Sequence, residues 1–288
     1  MLMNVKELLM KAWKNGYAVG AFNTVNIETT RAILDAAREM ESPVILQMTE
    51  KSLEYAGGRV LFNLVKQTAE YYYPEVPMGI HLDHGKSYEI IDRVVEIGFP
   101  SVMYDGSRHH YADNLAVTKK VVERCHAEGV VVQAELGSVP YLGEVSTSGE
   151  VDWEPYMTKP EQAQEFVEQT GIDVLAVAIG NAHGFVPERP TPDYDRLSAI
   201  RDRITIPIVI HGASDWDTTR VSEVIRRGVS CFNVDTATRL AFLGQLKQTL
   251  DTSEETDLRK VLGIARDAAQ QTVKEKMRIF GSAGKWRE

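Results

Sequence analysis

Three of the seven histidines follow short apolar runs rich in β-branched residues: His84 in "HLDHG", His183 in "NAHG" and His211 in "IHGAS". Neutral imidazole is the commonest protein ligand for a metal. Three protein ligands that leave one coordination position open are how a catalytic zinc is held. A lone histidine after such a run is more often structural, but three in corresponding positions on separate runs point to one shared ion. His81 lies in the same motif as His84 and is assigned to the core or to support behind the ligands. His109, His110 and His126 fall in helix or loop contexts and are expected to face solvent.

Carboxylates accompany these histidines. Asp83 precedes His84, Asp105 closes "SVMYDG" and Glu135 stands in "AELG". Strand alternation would turn Asp83 to the opposite side of the backbone from His84. A carboxylate beside a metal site either orients a ligand or moves protons. Both roles are open for Asp83. Asp105 and Glu135 can equally hydrogen-bond a metal-bound histidine or hold a second cation.

Positioning these groups requires eight similar units. Strand-like runs at 17–23, 43–48, 77–83, 101–106, 130–136, 174–180, 206–212 and 231–236 show little polar alternation, as strands covered on both faces should. Amphipathic segments such as "NIETTRAILDAAREM" and "SYEIIDRVVEIG" separate them. "TKPEQAQEFVEQTG" reads as a helix entered through Thr158 and Pro160 and stopped by Gly171. Eight βα units in series predict an α/β fold of the (β/α)8 TIM barrel type over 1–288, a single domain, with additional C-terminal helices from about 255. An open doubly wound sheet would want a glycine-rich phosphate loop after its first strand, and none is present. The irregular stretch 138–157 has the length of a functional lid.

The ordered motifs "GYAVGAFN", "SPVILQ", "HLDHG", "SVMYDGS", "AELG", "EFVEQTGIDVLAVAIG", "AHG", "HGAS", "NVDT" and "FGSAGK" resemble the class II, metal-dependent ketose-bisphosphate aldolases, the fructose- and tagatose-bisphosphate enzymes, over nearly the whole chain. The resemblance implies one catalytic Zn2+ on His84, His183 and His211, with Asp83 handling the C4 hydroxyl proton as C3–C4 breaks. It implies that Asp105 and Glu135 sit beside the metal, where some members hold a second divalent or monovalent cation. Glu144 matches the mobile-loop base for the C3 proton. Substrate and phosphate contacts fall on Asn23, Gly180, Gly184, Gly212, Ser214, Asn233, Asp235 and Thr236. Cleavage yields dihydroxyacetone phosphate and an aldehyde through an enediolate, for which zinc supplies the Lewis acid. No lysine is expected at a strand end, and none is needed for a Schiff base. The resemblance also suggests a homodimer or homotetramer.

The chain departs from this family at one subsite. After "AHG" relatives carry a Tyr-Lys pair, whereas here Phe185, Val186 and Pro187 follow. The family's "HGASG" becomes "HGASD", placing Asp215 where a glycine N–H would meet the phosphate. Arg189 is the candidate replacement cation, since its fork suits phosphate. The alternative is the same zinc site acting on a ketose with a different C1 end, as a divergent aldolase or an epimerase. A non-catalytic barrel is disfavoured by the intact histidine set.

Composition narrows the partners. With 32 basic against 41 acidic residues and a net charge of −9, the chain has no basic surface for nucleic acid or an anionic membrane. Any anionic substrate must be drawn in by local features. Two cysteines outside any C-x-x-C pair, and an N-terminal "MLMNVKELLM" without signal-peptide character, lead to the expectation of a cytoplasmic protein.

Overall fold

The computed structural model describes residues 1–141, 152–184 and 191–287. Each expected run forms a strand: β1 (Val19–Asn23), β2 (Val44–Thr49), β3 (Met78–Gly85), β4 (Ser101–Tyr104), β5 (Val131–Leu136), β6 (Val174–Val177), β7 (Ile208–Ile210) and β8 (Val229–Val234). They pair in sequence order, all parallel, and β8 closes on β1. This is a TIM barrel. β6 and β7 are shorter than the apolar runs that signal them, and β8 begins two residues before Cys231.

The crossovers are helical. Helix α1 (Val5–Lys14) precedes β1 and α2 (Ile27–Glu39) follows it, while α3 (Glu50–Ala56) and α4 (Gly58–Tyr72) together join β2 to β3. The next crossovers hold α5 (Tyr88–Ile97), α6 (Tyr111–His126), α7 (Pro160–Thr170), α8 (Tyr194–Arg201) and α9 (Thr218–Arg226). After β8 come α10 (Thr236–Thr252) and α11 (Leu258–Ile279). The extra C-terminal structure is thus one long helix rather than several. It packs outside the barrel against α2 and α10, burying Ala265, Ala269, Val273 and Met277.

Two apolar layers explain the continuous strand runs. Val19, Ala21, Ile45, Val131, Val174, Val209 and Cys231 fill the barrel interior, together with Leu8 and Leu9 of α1, which closes its lower end. Phe22, Leu46, Leu82, Val132 and Phe232 belong to the layer between strands and helices. Neighbours such as Ala21 and Phe22 therefore serve opposite faces, as the period of two demands. Each fully buried Leu or Phe contributes about 1.5–3 kcal/mol of transfer free energy. A Cβ at Gly79 would lie 2.7 Å from Val5, so glycine there lets α1 approach β3.

Local signals behave unevenly. Asn26 forms a capping box with Thr29 at the start of α2, and Gly98 and Gly171 end α5 and α7 in the left-handed conformation. Thr158, however, does not cap α7, whose N-cap is Lys159. Its hydroxyl instead donates to the Leu136 carbonyl and accepts the Ala178 N–H at 2.9 Å, tying the end of β5 to the end of β6. A buried threonine gains more from two otherwise unpaired backbone groups than from one helix terminus that Pro160 has already shortened.

Candidate active site

Along interior rows such as those of β1 and β5 the strands turn from apolar at the bottom to polar at the top. On β1 the row is Val19, Ala21, Asn23, and on β5 it is Val131, Gln133, Glu135. The polar ends meet at the C-terminal mouth, where a cavity of about 670 Å³ opens, lined by Asn23, Asp83, His84, His183, Ser214 and Asn233 among others. That volume suits a small ligand.

Asp83 and His84 both line this cavity, which simple alternation would forbid. His84 adopts φ +53°, a left-handed conformation costly for a residue with a Cβ, and the β3–β4 register shifts between Leu82 and Gly85. The twist brings the His84 ring back to the mouth, with its Nε2 3.8 Å from Asp83 Oδ1. The expectation of opposite sides is corrected accordingly.

The three histidines meet. One ring nitrogen from each of His84, His183 and His211 lies within 4.8 Å of the other two. His84 Nε2 and His211 Nδ1 are 2.9 Å apart. His84 donates from Nδ1 to Asp105 Oδ2 at 2.8 Å, which leaves its Nε2 lone pair for an ion. The His183 backbone N–H donates to the Pro140 carbonyl, and the Tyr141 ring stacks on the imidazole at 4.7 Å. Gly212 runs so close to this segment, at φ +64°, that a Cβ would fall 2.4 Å from the Ala182 carbonyl oxygen.

Electrostatics follow from burial and crowding. Burial opposes charge on His84, but Asp83, Asp105 and Glu135 outweigh it and push the imidazole up to about 9. Burial, then the neighbouring His84 and His183, hold His211 neutral, well below its ordinary value. Glu135 is pushed up to about 8 by burial first and Asp105 second. Burial raises Asp105 too, but its bonds to His84 and Ser107 prevail and hold it well below the usual carboxylate range. His84, Asp105 and Glu135 form a second group whose ligand atoms converge. His81 stays in the core, its Nδ1 2.8 Å from Ser101 Oγ. His109 and His110 are exposed, whereas His126, also exposed, pairs through Nε2 with Asp173 at 2.8 Å.

Asp83 is held from two sides. Asn23 donates to its Oδ2 at 2.8 Å and Asn233 to its Oδ1 at 3.0 Å, while Gln47 donates to Asn23 Oδ1 at 2.8 Å. Gly184, Gly212, Ser214, Asp235 and Thr236 line the cavity with them; among the described residues Gly180 is buried and does not. Asp215 is likewise absent from the lining, although Ser214 beside it is present. Its charge instead favours the ammonium of Lys276 on α11, a buried lysine whose pKa is lowered by burial and opposed by Glu275 and Asp215. Glu144, Phe185, Val186, Pro187 and Arg189 lie outside the described residues.

Some lining residues escape a reading of strand ends. Lys51 enters from α3, Arg239 from the first turn of α10, and Lys86 directly follows β3, contrary to the expectation of no lysine there. Lysine after "HLDHG" was the available signal. Thr49 and Tyr141 also line the cavity. Three cationic side chains thus border the mouth, against the carboxylates of Glu50, Asp83 and Asp235 in the same lining.

Comparison with known proteins agrees with this geometry. The family described as fructose-bisphosphate aldolase class-II matches residues 3–285. The chain belongs to this class II aldolase family. The fructose-bisphosphate aldolase of Thermus caldophilus is 42% identical over 99% of this chain and 100% of its own length. That of Geobacillus stearothermophilus is 41% identical over 99% of this chain and 98% of its own. Among solved structures, the YdjI aldolase of Escherichia coli K12 superposes with a TM-score of 0.86 at 31% identity, covering 99% of each chain. The protein is accordingly an aldolase, a lyase of carbohydrate metabolism from a metal-dependent class whose substrates are sugar phosphates. Among the described residues, no helix is long and apolar enough to cross a membrane.

Proposed function

We propose that this class II aldolase reversibly cleaves a ketose bisphosphate, fructose or tagatose 1,6-bisphosphate, between C3 and C4 to give dihydroxyacetone phosphate and an aldehyde. The observation that carries the reading is the convergence of one nitrogen from each of His84, His183 and His211 within 4.8 Å. Three neutral nitrogens fit a zinc ion with one position left open. When bound, zinc would supply Lewis-acid stabilisation of the charge that develops as the carbon–carbon bond opens.

The remaining steps fall to the chain's own residues. Asp83, buried and held by Asn23 and Asn233, is the group for the C4 hydroxyl proton, because two amide donors fix its carboxylate toward the cavity. Asp105 keeps the His84 proton on Nδ1. Glu144 is assigned the C3 proton on the family resemblance alone. For the phosphate that leaves on the three-carbon ketone, Gly184, Gly212 and Ser214 are the candidates, with Thr236 at the start of α10, where unpaired N–H groups favour an anion. Lys51 and Lys86 offer charge to the other end of the substrate. Arg189 remains a candidate cation from sequence.

The acid pair beside His84 is proposed as support for that ligand and as a place for a second cation. We further propose one domain, a homodimer or homotetramer, and a cytoplasmic setting. The deciding experiment combines zinc analysis of the purified protein with product analysis on fructose and tagatose bisphosphates and their unphosphorylated analogues. Stoichiometric zinc and a strong preference for a bisphosphate are expected. Equal kcat/KM with and without phosphates would overturn the substrate assignment.

A further inference from the structure

Gln133 projects into the barrel from β5 and is 4% exposed. Its Nε2 lies 3.0 Å from His211 Nε2, and Asn233 Nδ2 lies 3.2 Å from the same nitrogen. Two amide donors facing one ring nitrogen make that nitrogen an acceptor. Where both rings are neutral, above the His84 pKa of about 9, the His211 proton is therefore on Nδ1, aimed at His84 Nε2 2.9 Å away. Binding an ion through Nδ1 needs the other tautomer, in which Nε2 carries the proton and wants an acceptor.

The two amides are not equally free to provide one. Asn233 is committed, because the same Nδ2 donates to Asp83 Oδ1 at 3.0 Å and a carboxylate can only accept. The other contact of Gln133 Nε2 is Met103 Sδ at 3.4 Å, a weak acceptor whose loss costs little.

We propose that Gln133 is a positioning residue that selects the metal-binding tautomer of His211: its carboxamide turns so that Oε1 accepts the Nε2 proton and Nδ1 is left bare. One proton leaves Nδ1 and one arrives on Nε2, so the ring stays neutral throughout. This rests on the metal reading given above. A neutral amide also leaves His211 less basic than a carboxylate partner would.

Zinc affinity, measured by competition with a chromophoric chelator, tests this on the native protein, Gln133→Met and Gln133→Glu. Met fills the space without an acceptor and should weaken zinc binding about 10–100-fold. Glu accepts without turning and should bind at least as tightly as native. Histidine ¹⁵N NMR of the native protein, recorded above the His84 pKa of about 9, should show the His211 proton on Nδ1 without zinc and on Nε2 with it. Native affinity in Gln133→Met, or an Nδ1 proton that persists in the zinc-loaded protein, would overturn the inference. Equal weakening in both variants with a matching loss of thermal stability would also overturn it, because packing alone would then explain the effect. A native protein with no affinity for zinc would instead sink the metal reading and this inference together.

Discussion

His84 Nε2 and His211 Nδ1 face each other across 2.9 Å at the mouth of the barrel, although 127 positions separate them in the chain. Two ring nitrogens so placed either share a proton or share an ion. Removing zinc with a chelator should abolish cleavage, and adding it back should restore turnover. His84→Ala should lose stoichiometric metal and activity together. Full activity in metal-free protein, checked by elemental analysis alongside the assay, would contradict the metal's role.

Asp83 is fixed by Asn23 and Asn233 rather than by a histidine proton. Asp83→Ala should cut kcat by about 10²–10⁴-fold while zinc stays bound, the range for a lost general acid or base. Zinc loss in this variant would reassign Asp83 as a ligand.

Lys86 borders the cavity and its side chain is exposed, so its charge is partly screened. Lys86→Ala should raise KM for a bisphosphate roughly 2–10-fold with little change in kcat. The same change measured on a substrate lacking the distal phosphate should leave KM unmoved. An equal rise on both substrates would exclude Lys86 as a phosphate contact.

Asp173 anchors the lower barrel. It accepts from Val132 N–H and His126 Nε2 through Oδ2, each at 2.9 Å or less, and from Lys6 Nζ through Oδ1 at 2.9 Å. Burial raises this carboxyl, but the three donors prevail and its pKa lies below the ordinary 3.8. A depressed folded pKa stabilises the protein above the unfolded value, and that contribution fades as pH falls through the folded one. Asp173→Asn should cost about 1–3 kcal/mol at pH 7, where it leaves donors facing donors. Thermal melts of both proteins should converge as pH drops below about 4, and a gap independent of pH would refute the charge argument.

Thr158 offers a test of packing apart from the chemistry. Thr158→Val keeps the shape but strands the Leu136 carbonyl and the Ala178 N–H, for an expected loss of about 1–3 kcal/mol in denaturant unfolding. An unchanged midpoint would show that these groups find other partners.

Much of the protein is legible in its sequence because strand formation and helix capping depend on near neighbours. The eight apolar runs, the βα rhythm and the position of His84, His183 and His211 at or beyond the C-terminal ends of β3, β6 and β7 follow from local patterning, and a parallel barrel delivers strand ends to one face. Tertiary structure decided the rest. That Asp83 and His84 share a cavity depends on a left-handed turn at His84, which no alternation rule contains. Thr158 looks like a helix cap until β5 and β6 supply two unpaired backbone groups beside it. The charge of Asp215 acts on Lys276, 61 positions later, and Gln133 reaches His211 across 78, because charges and hydrogen bonds act through space rather than along the chain.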